Sequence, residues 1–221
     1  MFIAGYILTA VCGYALGSLP TGFLVGKAQG IDIRAVGSGN IGATNVFRAL
    51  GVPAGIFVLL ADAAKGWLAV AVVAPLVCAW VCPTAGEQAR EWFRIVGGLS
   101  AVLGHNFTCW LRFRGGKGIA TSAGVLTALV PWALLIILGV WIVVFALTRY
   151  VSLASIAASL SLPLATWLTH CSSTLILITS LMTLLAVYKH KANIERLIKG
   201  TENRIGGRRS PPASDDPKQT S

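Results

Sequence analysis

Apolar residues fall into six long runs, at 2–26, 52–82, 95–111, 118–148, 151–168 and 173–188, separated by short polar or glycine-rich stretches. Most of them reach the ~17–25 residues that a helix needs to cross about 30 Å of hydrocarbon, so the pattern predicts an all-α, polytopic membrane protein. The 118–148 run is too long for one span and carries Pro131 at its middle, where a proline kinks or breaks a helix. Divided there, it gives two short helices and about seven transmembrane crossings in all. The opening run has no basic leader, and Gly17-Ser18-Leu19-Pro20 is not followed by a soluble domain, so it reads as a retained first helix. From Lys189 the chain turns polar, and beyond Gly206 the stretch Arg208-Arg209-Ser210-Pro211-Pro212 with Ser214, Asp215 and Asp216 reads as disordered. The expected organisation is one membrane domain over 1–204 and a cytoplasmic tail over 205–221. No internal repeat of 20–50 residues is visible.

Composition narrows the class. Hydrophobic residues make up 55% of the 221 and charged residues only 12%, about half the share of a soluble domain. Soluble, disordered, collagen-like and disulfide-scaffold classes are excluded. The remaining charge is one-sided, with 18 Lys and Arg against 8 Asp and Glu, a net +10. Its placement sets the topology, because short loops rich in Lys and Arg stay on the cytoplasmic side. Lys27, Arg34 and Arg48 lie in 27–51, Arg112, Arg114 and Lys117 in 112–117, and eight cations in the tail from Lys189 to Lys218. By contrast, 83–94 balances Glu87 and Glu91 with Arg90 and Arg94. Seven crossings with the N-terminus outside and the C-terminus cytoplasmic put every cation-rich loop inside. Topology thus accounts for the charge, and no nucleic-acid partner is expected. The cysteines Cys12, Cys78, Cys82, Cys109 and Cys171 form no CxxC or Cys/His spacing and read as buried small hydrophobes.

Three stretches on the cytoplasmic side carry candidate chemistry. In Gly37-Ser38-Gly39-Asn40-Ile41-Gly42-Ala43-Thr44-Asn45-Val46-Phe47-Arg48, glycines allow positive φ and close backbone approach, Ser38, Asn40, Thr44 and Asn45 offer directional hydrogen bonds, and a following helix start would aim N–H groups at an anion held by Arg48. The plainer alternative is a solvated, capped turn. In the second stretch, Gly115-Gly116-Lys117-Gly118 opens an apolar helix near Thr121 and places N–H donors and a lysine at one helix N-terminus, a good phosphate cradle. The GxxxxGK[ST] spacing of a nucleotide loop is absent. His105, just upstream, is either a helix-end residue or a ligand contact. The third stretch, Tyr188 to Arg204, sets His190 and Asn193 at i and i+3 on one helix face. Taken alone it also fits a basic amphipathic helix lying on anionic lipid.

Within the membrane runs, Asp62 and Lys65 are the ionisable residues of 52–82 and stand at i,i+3, where they either neutralise one another or shape the site. Ser152 is expected to cap its helix, and Ser155 is open between backbone bonding and a substrate phosphate.

As a set, GSGNxGATNxxR, GGKGxAT and HxxNIxRLxxGTE resemble, in order and spacing, the three cytoplasmic motifs of the bacterial acyl-phosphate:glycerol-3-phosphate acyltransferases, the PlsY family. The resemblance runs from about Gly17 to Arg204. It implies a seven-span enzyme of the bacterial inner membrane, its active site cytoplasmic, that moves a fatty acyl group from acyl phosphate, not acyl-CoA, to the 1-hydroxyl of glycerol 3-phosphate, giving lysophosphatidic acid. It implies that Ser38, Arg48, Lys117, His190 and Asn193 are catalytic and that Gly115, Gly116 and Gly118 form a phosphate loop. Gly37, Gly39, Asn40, Thr44, Asn45, Thr121 and Ser155 join the substrate-binding set, Ser155 near the bound phosphate. Glu202 is the implied structural glutamate, with Asp62 and Lys65 also structural. Thr108 stands where family members often have proline, and Arg114 where they often have lysine. A monomer in the bilayer, without cofactor or metal, is expected.

Three other classes fit less well. A thioester-dependent acyltransferase wants an HxxxxD pair, whereas His190 and Glu195 point about 140° apart on a helix. A phospho-alcohol transferase wants clustered metal-binding aspartates, and an organic-phosphate transporter wants repeated halves around a midplane site.

Overall fold

The computed structural model describes residues 2–206, and throughout them the regular structure is helical. The predicted 205–221 tail lies almost wholly outside the described residues. Helix α1 (Phe2–Ser18) stops at Leu19-Pro20, and α2 (Thr21–Ala28) continues beyond it. The predicted 2–26 run is therefore two helices, because Pro20 has no N–H to carry the ladder through. Short α3 (Ala43–Leu50) turns at Gly51 (φ 89°) into α4 (Val52–Leu68), which passes through a π turn (Ala69–Val73) into α5 (Ala74–Val81). Helix α6 (Glu87–Asn106) begins eight residues before the predicted 95, since Glu87 to Arg94 form an amphipathic turn pair that a purely apolar window passes over. Helices α7 (Ile119–Leu129) and α8 (Pro131–Thr148) are separated at Val130 (φ −143°, ψ 63°), where division was expected. Then come α9 (Val151–Leu168), α10 (Ser173–Lys189) and α11 (Lys191–Ile198), the last two bent by 57° at His190.

Among the described residues four helical stretches are long and apolar enough to cross a bilayer, Phe2–Ala28, Val52–Val81, Pro131–Thr148 and Val151–Leu168, and α10 with α11 makes a fifth if counted through the bend. Their outward faces are apolar: Ile3, Leu60, Leu76, Leu147 and Leu184 are all exposed. In lipid the hydrophobic effect gives no drive between helices, so close van der Waals packing at small residues holds them together. Glycines supply it here. A Cβ on Gly13 or Gly17 of α1 would overlap the Gly97 or Ala101 carbonyl of α6, and one on Gly66 or Gly124 would overlap the facing backbone across α4 and α7. The main apolar cluster, including Val70, Val102, Leu126, Ile137, Leu162 and Met182, lies among the π turn and α6 to α10.

Two expectations fail in detail. Cys109 is exposed rather than buried, because it sits on the loop after α6, and Cys12 and Cys171 are only partly buried, while Cys78 and Cys82 are buried as expected. Ser152 does not cap α9: Tyr150 occupies that position, and the Ser152 hydroxyl donates instead to Glu202 Oε1 at 3.1 Å.

Candidate active site

The 37–45 loop gets its shape from one buried amide. Asn45 Oδ1 accepts the Ser38 N–H at 2.9 Å, and Asn45 Nδ2 donates to the Ile33 and Val36 carbonyls at 3.0 and 2.9 Å. Gly37 and Gly39 take φ of 61° and 67°, the left-handed region that favours glycine. Asn45, expected at the substrate, does lie on a cavity wall, and with both ends of its amide engaged it also holds the loop. Asn40 similarly accepts the Gly42 N–H at 2.9 Å. Ser38, Asn40, Thr44 and Arg48 line the same cavity, the last two placed on one face of α3 by their i,i+4 spacing. Arg48 Nη2 reaches across to the Asn203 carbonyl at 3.3 Å.

The Gly115–Gly118 loop folds back on the end of α6. Gly115 and Gly116 donate their N–H groups to the carbonyls of Asn106 (3.3 Å) and His105 (3.0 Å), so these two donors are not free for phosphate as expected. The glycines are needed for contact: a Cβ on Gly116 would overlap the His105 ring, and one on Gly118 (φ 78°) would come within 2.6 Å of Asn106 Oδ1. Lys117 then projects to the cavity, beside Gly118, Ile119 and Ala120 of the opening turn of α7, whose first N–H groups have no intrahelical acceptors. Burial pulls the Lys117 pKa down to about 8, with Glu202 opposing and Arg196, Arg48 and Lys189 adding repulsion. Lys189 clamps the loop from α10, donating to the Asn106 carbonyl at 2.8 Å and lying over the Phe107 ring. Thr121 was expected at the substrate; it is fully buried, with its backbone against Gly66 of α4, and does not line the cavity.

The third stretch completes the polar end. His190, at the bend between α10 and α11, is 2% exposed, and its Nδ1 lies 2.7 Å from the Ala186 carbonyl. A carbonyl only accepts, so Nδ1 carries the proton and Nε2 keeps a lone pair. Burial lowers the His190 pKa to about 4, leaving the ring neutral. Asn193 donates to Glu202 Oε1 at 2.9 Å, while its own Oδ1 is buried without a partner among the described residues. Glu202 also accepts from Ser152 and, through Oε2, from Arg196 Nε at 2.7 Å. It thereby ties the chain after α11 to the start of α9, aided by Ile205 N–H to the Arg149 carbonyl at 3.0 Å.

Asp62 and Lys65 do pair, at 2.9 Å, and both are buried. Lys65 also donates to the Leu19 carbonyl at 3.0 Å, and Thr21 Oγ1 to Asp62 at 3.0 Å, so the pair fastens α4 to the α1–α2 break. Asp62 and His105 reach the cavity wall; Lys65 does not.

The cavity, about 370 Å³, joins two unlike halves. At one end stand Ser38, Arg48, Lys117, His190 and Asn193, and at the other Leu126, Leu134, Ile137, Leu138, Leu162 and Met182, from α7 to α10. Trp141, Ser155 and Ser159 lie on its wall as well. The apolar half was not anticipated. Helices that are apolar all round, such as α8, show no stripe to mark which residues face a channel.

A family model described as Glycerol-3-phosphate acyltransferase matches residues 7–200. The glycerol-3-phosphate acyltransferases of Desulforudis audaxviator and Geobacter sulfurreducens are 47% and 45% identical to the chain over 204 and 199 residues, covering 92% and 90% of it and 97% and 96% of themselves. Two crystal structures of PlsY (YgiH), an integral membrane glycerol 3-phosphate acyltransferase, are also similar. The glycerol 3-phosphate form superposes with a TM-score of 0.80 at 36% identity, covering 91% of this chain and 96% of that one. The lysophosphatidic acid form gives 0.77 at 35%, covering 90% and 94%.

Proposed function

The chain belongs to the glycerol-3-phosphate acyltransferase family, and on that premise we propose that it transfers a fatty acyl group from acyl phosphate to the 1-hydroxyl of sn-glycerol 3-phosphate, releasing lysophosphatidic acid and phosphate. One observation carries this reading: a single cavity runs from cations and hydroxyls into an apolar channel. A phosphate bonded directly to an acyl chain fits both halves at once. The PlsY structures in their glycerol 3-phosphate and lysophosphatidic acid forms support the acceptor and the product.

Acyl phosphate is a mixed anhydride with a good leaving group, so the protein's work is to hold two phosphorylated molecules in register and offset their charge. Arg48 and Lys117 meet the phosphates, with Ser38, Ser155 and the first N–H groups of α7 as further donors. The glycerol oxygen attacks the acyl carbonyl, a C–O bond forms, and the C–O bond to phosphate breaks. The hydroxyl proton is accepted at His190 Nε2 or at a phosphate oxygen. A pKa of about 4 makes the imidazole a weak base, which favours His190 as the hydrogen-bond acceptor that orients the hydroxyl and phosphate as the final proton carrier. Among the described residues no cavity Ser or Cys has a base and orienter of triad type, Ser152 donating to a Glu202 already held by Asn193 and Arg196, and the transfer is direct. Seven crossings, with α6 and the short α7 added to the five apolar candidates, put this polar end at the cytoplasmic face of the bacterial inner membrane, where the enzyme works as a monomer without cofactor.

The test is turnover by purified protein given glycerol 3-phosphate with either acyl phosphate or acyl-CoA, following lysophosphatidate and free phosphate. Product with acyl phosphate alone is expected. Product from acyl-CoA alone would overturn the donor assignment.

A further inference from the structure

Hydroxyl side chains inside these helices have a common habit. Thr9, Thr127, Thr148, Ser159, Thr166, Thr179 and Ser180 each donate to the carbonyl four residues back, at 2.7–2.9 Å. Ser155 departs from it. It is 4% exposed, yet among the described residues its hydroxyl has no carbonyl acceptor, and its Oγ accepts a hydrogen bond from Trp141 Nε1 at 3.2 Å. The indole reaches it from α8, the neighbouring helix, and is steadied by stacking on Phe145 with ring centroids 5.0 Å apart and planes 21° from parallel.

An indole N–H can only donate. By occupying one lone pair of Ser155, it leaves the hydroxyl proton to seek an acceptor elsewhere, and the cavity is the direction left open. The position along α9 matters too. Ser152, one turn before Ser155, is already bonded to Glu202, and Ser159, one turn after, is back-bonded to the Ser155 carbonyl. Past Ser159 the channel wall is apolar at Leu162 and Met182, and the hydroxyl of Thr183 beside them is committed to the Ser159 and Thr179 carbonyls. Ser155 is therefore the last hydroxyl on α9 with an uncommitted proton between the polar end and the acyl channel.

We propose that Trp141 is a positioning residue: its indole N–H turns the Ser155 hydroxyl into a dedicated donor to an anionic oxygen of the bound phosphate, at the depth where head group gives way to chain. The inference rests on the functional reading above. Trp141 itself touches no reacting atom. Its effect on phosphate binding passes wholly through Ser155, so the two residues must act as one unit.

Calorimetric titration of a non-hydrolysable long-chain acyl phosphonate into the purified protein tests this without turnover. Ser155→Ala is expected to weaken binding about tenfold, Trp141→Phe about as much, and the double variant no more than either alone. Trp141→His, which keeps a ring and an N–H donor, should recover most of the affinity. Trp141→Phe preserves the stacking on Phe145, and matching thermal unfolding of the variants separates lost positioning from lost fold. Binding by Trp141→Phe within twofold of the wild type, or losses that multiply to about a hundredfold in the double variant, would overturn the inference and leave the function standing. No binding by the wild type would remove the functional reading and the inference together.

Discussion

Replacing Lys117 by methionine should stabilise the ligand-free protein while abolishing its turnover. Burial holds the Lys117 pKa near 8 in the folded chain, with Glu202 pulling it up and Arg196, Arg48 and Lys189 pushing it further down, against 10.5 for the free side chain. Between pH 8 and 10.5 the unfolded chain binds more protons, so stability rises with pH across that window. Below pH 8 the full cost of a charged, half-desolvated amine is present. At about 1.4 kcal/mol per pH unit the gap is worth about 3 kcal/mol, and the residual solvent contact of the side chain reduces this to about 1–3 kcal/mol. Methionine fills similar volume and removes the charge. At pH 7 the variant should unfold several degrees higher than the wild type, since about 1 kcal/mol moves the midpoint by roughly 2–4 °C in a chain of this size. The advantage should shrink as pH climbs from 8 to 10.5. Glycerol 3-phosphate should reverse the order at pH 7, because a bound dianion repairs the isolation of the ammonium group and stabilises only the wild type strongly. Thermal unfolding in detergent over pH 6–10.5, with and without ligand, measures the stabilities, and turnover at pH 7 the loss of activity. A methionine variant less stable than wild type at pH 7, or an advantage that does not change with pH, would refute the reasoning.

Two further outcomes follow from the same geometry. Glu202→Gln keeps the shape but replaces an acceptor-only group with one that presents N–H donors to Arg196 or Asn193; a loss of about 1–3 kcal/mol is expected, with kcat reduced tenfold or more because Asn193 loses its anchor, and unchanged kinetics would show that the tail does not organise the site. His190, buried neutral with its pKa lowered to about 4, should put no inflection into kcat/KM between pH 5 and 8, while stability falls as pH drops from 6.5 toward 4, where only the unfolded chain takes up the proton; an inflection near 6.5 that His190→Gln removes would contradict the buried, neutral ring.

What the sequence made legible was whatever has a short-range cause. Pro131 announces the α7–α8 break, the run at 151–168 coincides with α9, and the i,i+3 spacing of His190 and Asn193 brings both to one cavity. What stayed hidden depends on partners distant in the chain. Asn45 and Thr121 sit inside motifs, and only the fold shows that one locks a loop and the other packs against α4. Gly115 and Gly116 look like phosphate donors until their N–H groups are found on α6 carbonyls. Trp141 belongs to a helix apolar on every side, and its one side-chain hydrogen bond among the described residues goes to a partner 14 residues further along the chain.

The closure made by Glu202 also has a temporal side. A ribosome delivers this chain from its N-terminus, so the membrane helices among the described residues are made before residues 202–205, which brace Asn193 through the contacts with Ser152, Arg196 and Arg149. A nascent chain halted after α10 would hold the channel and the cationic loops but not the brace. The brace on Asn193 is thus acquired only after these helices have been made.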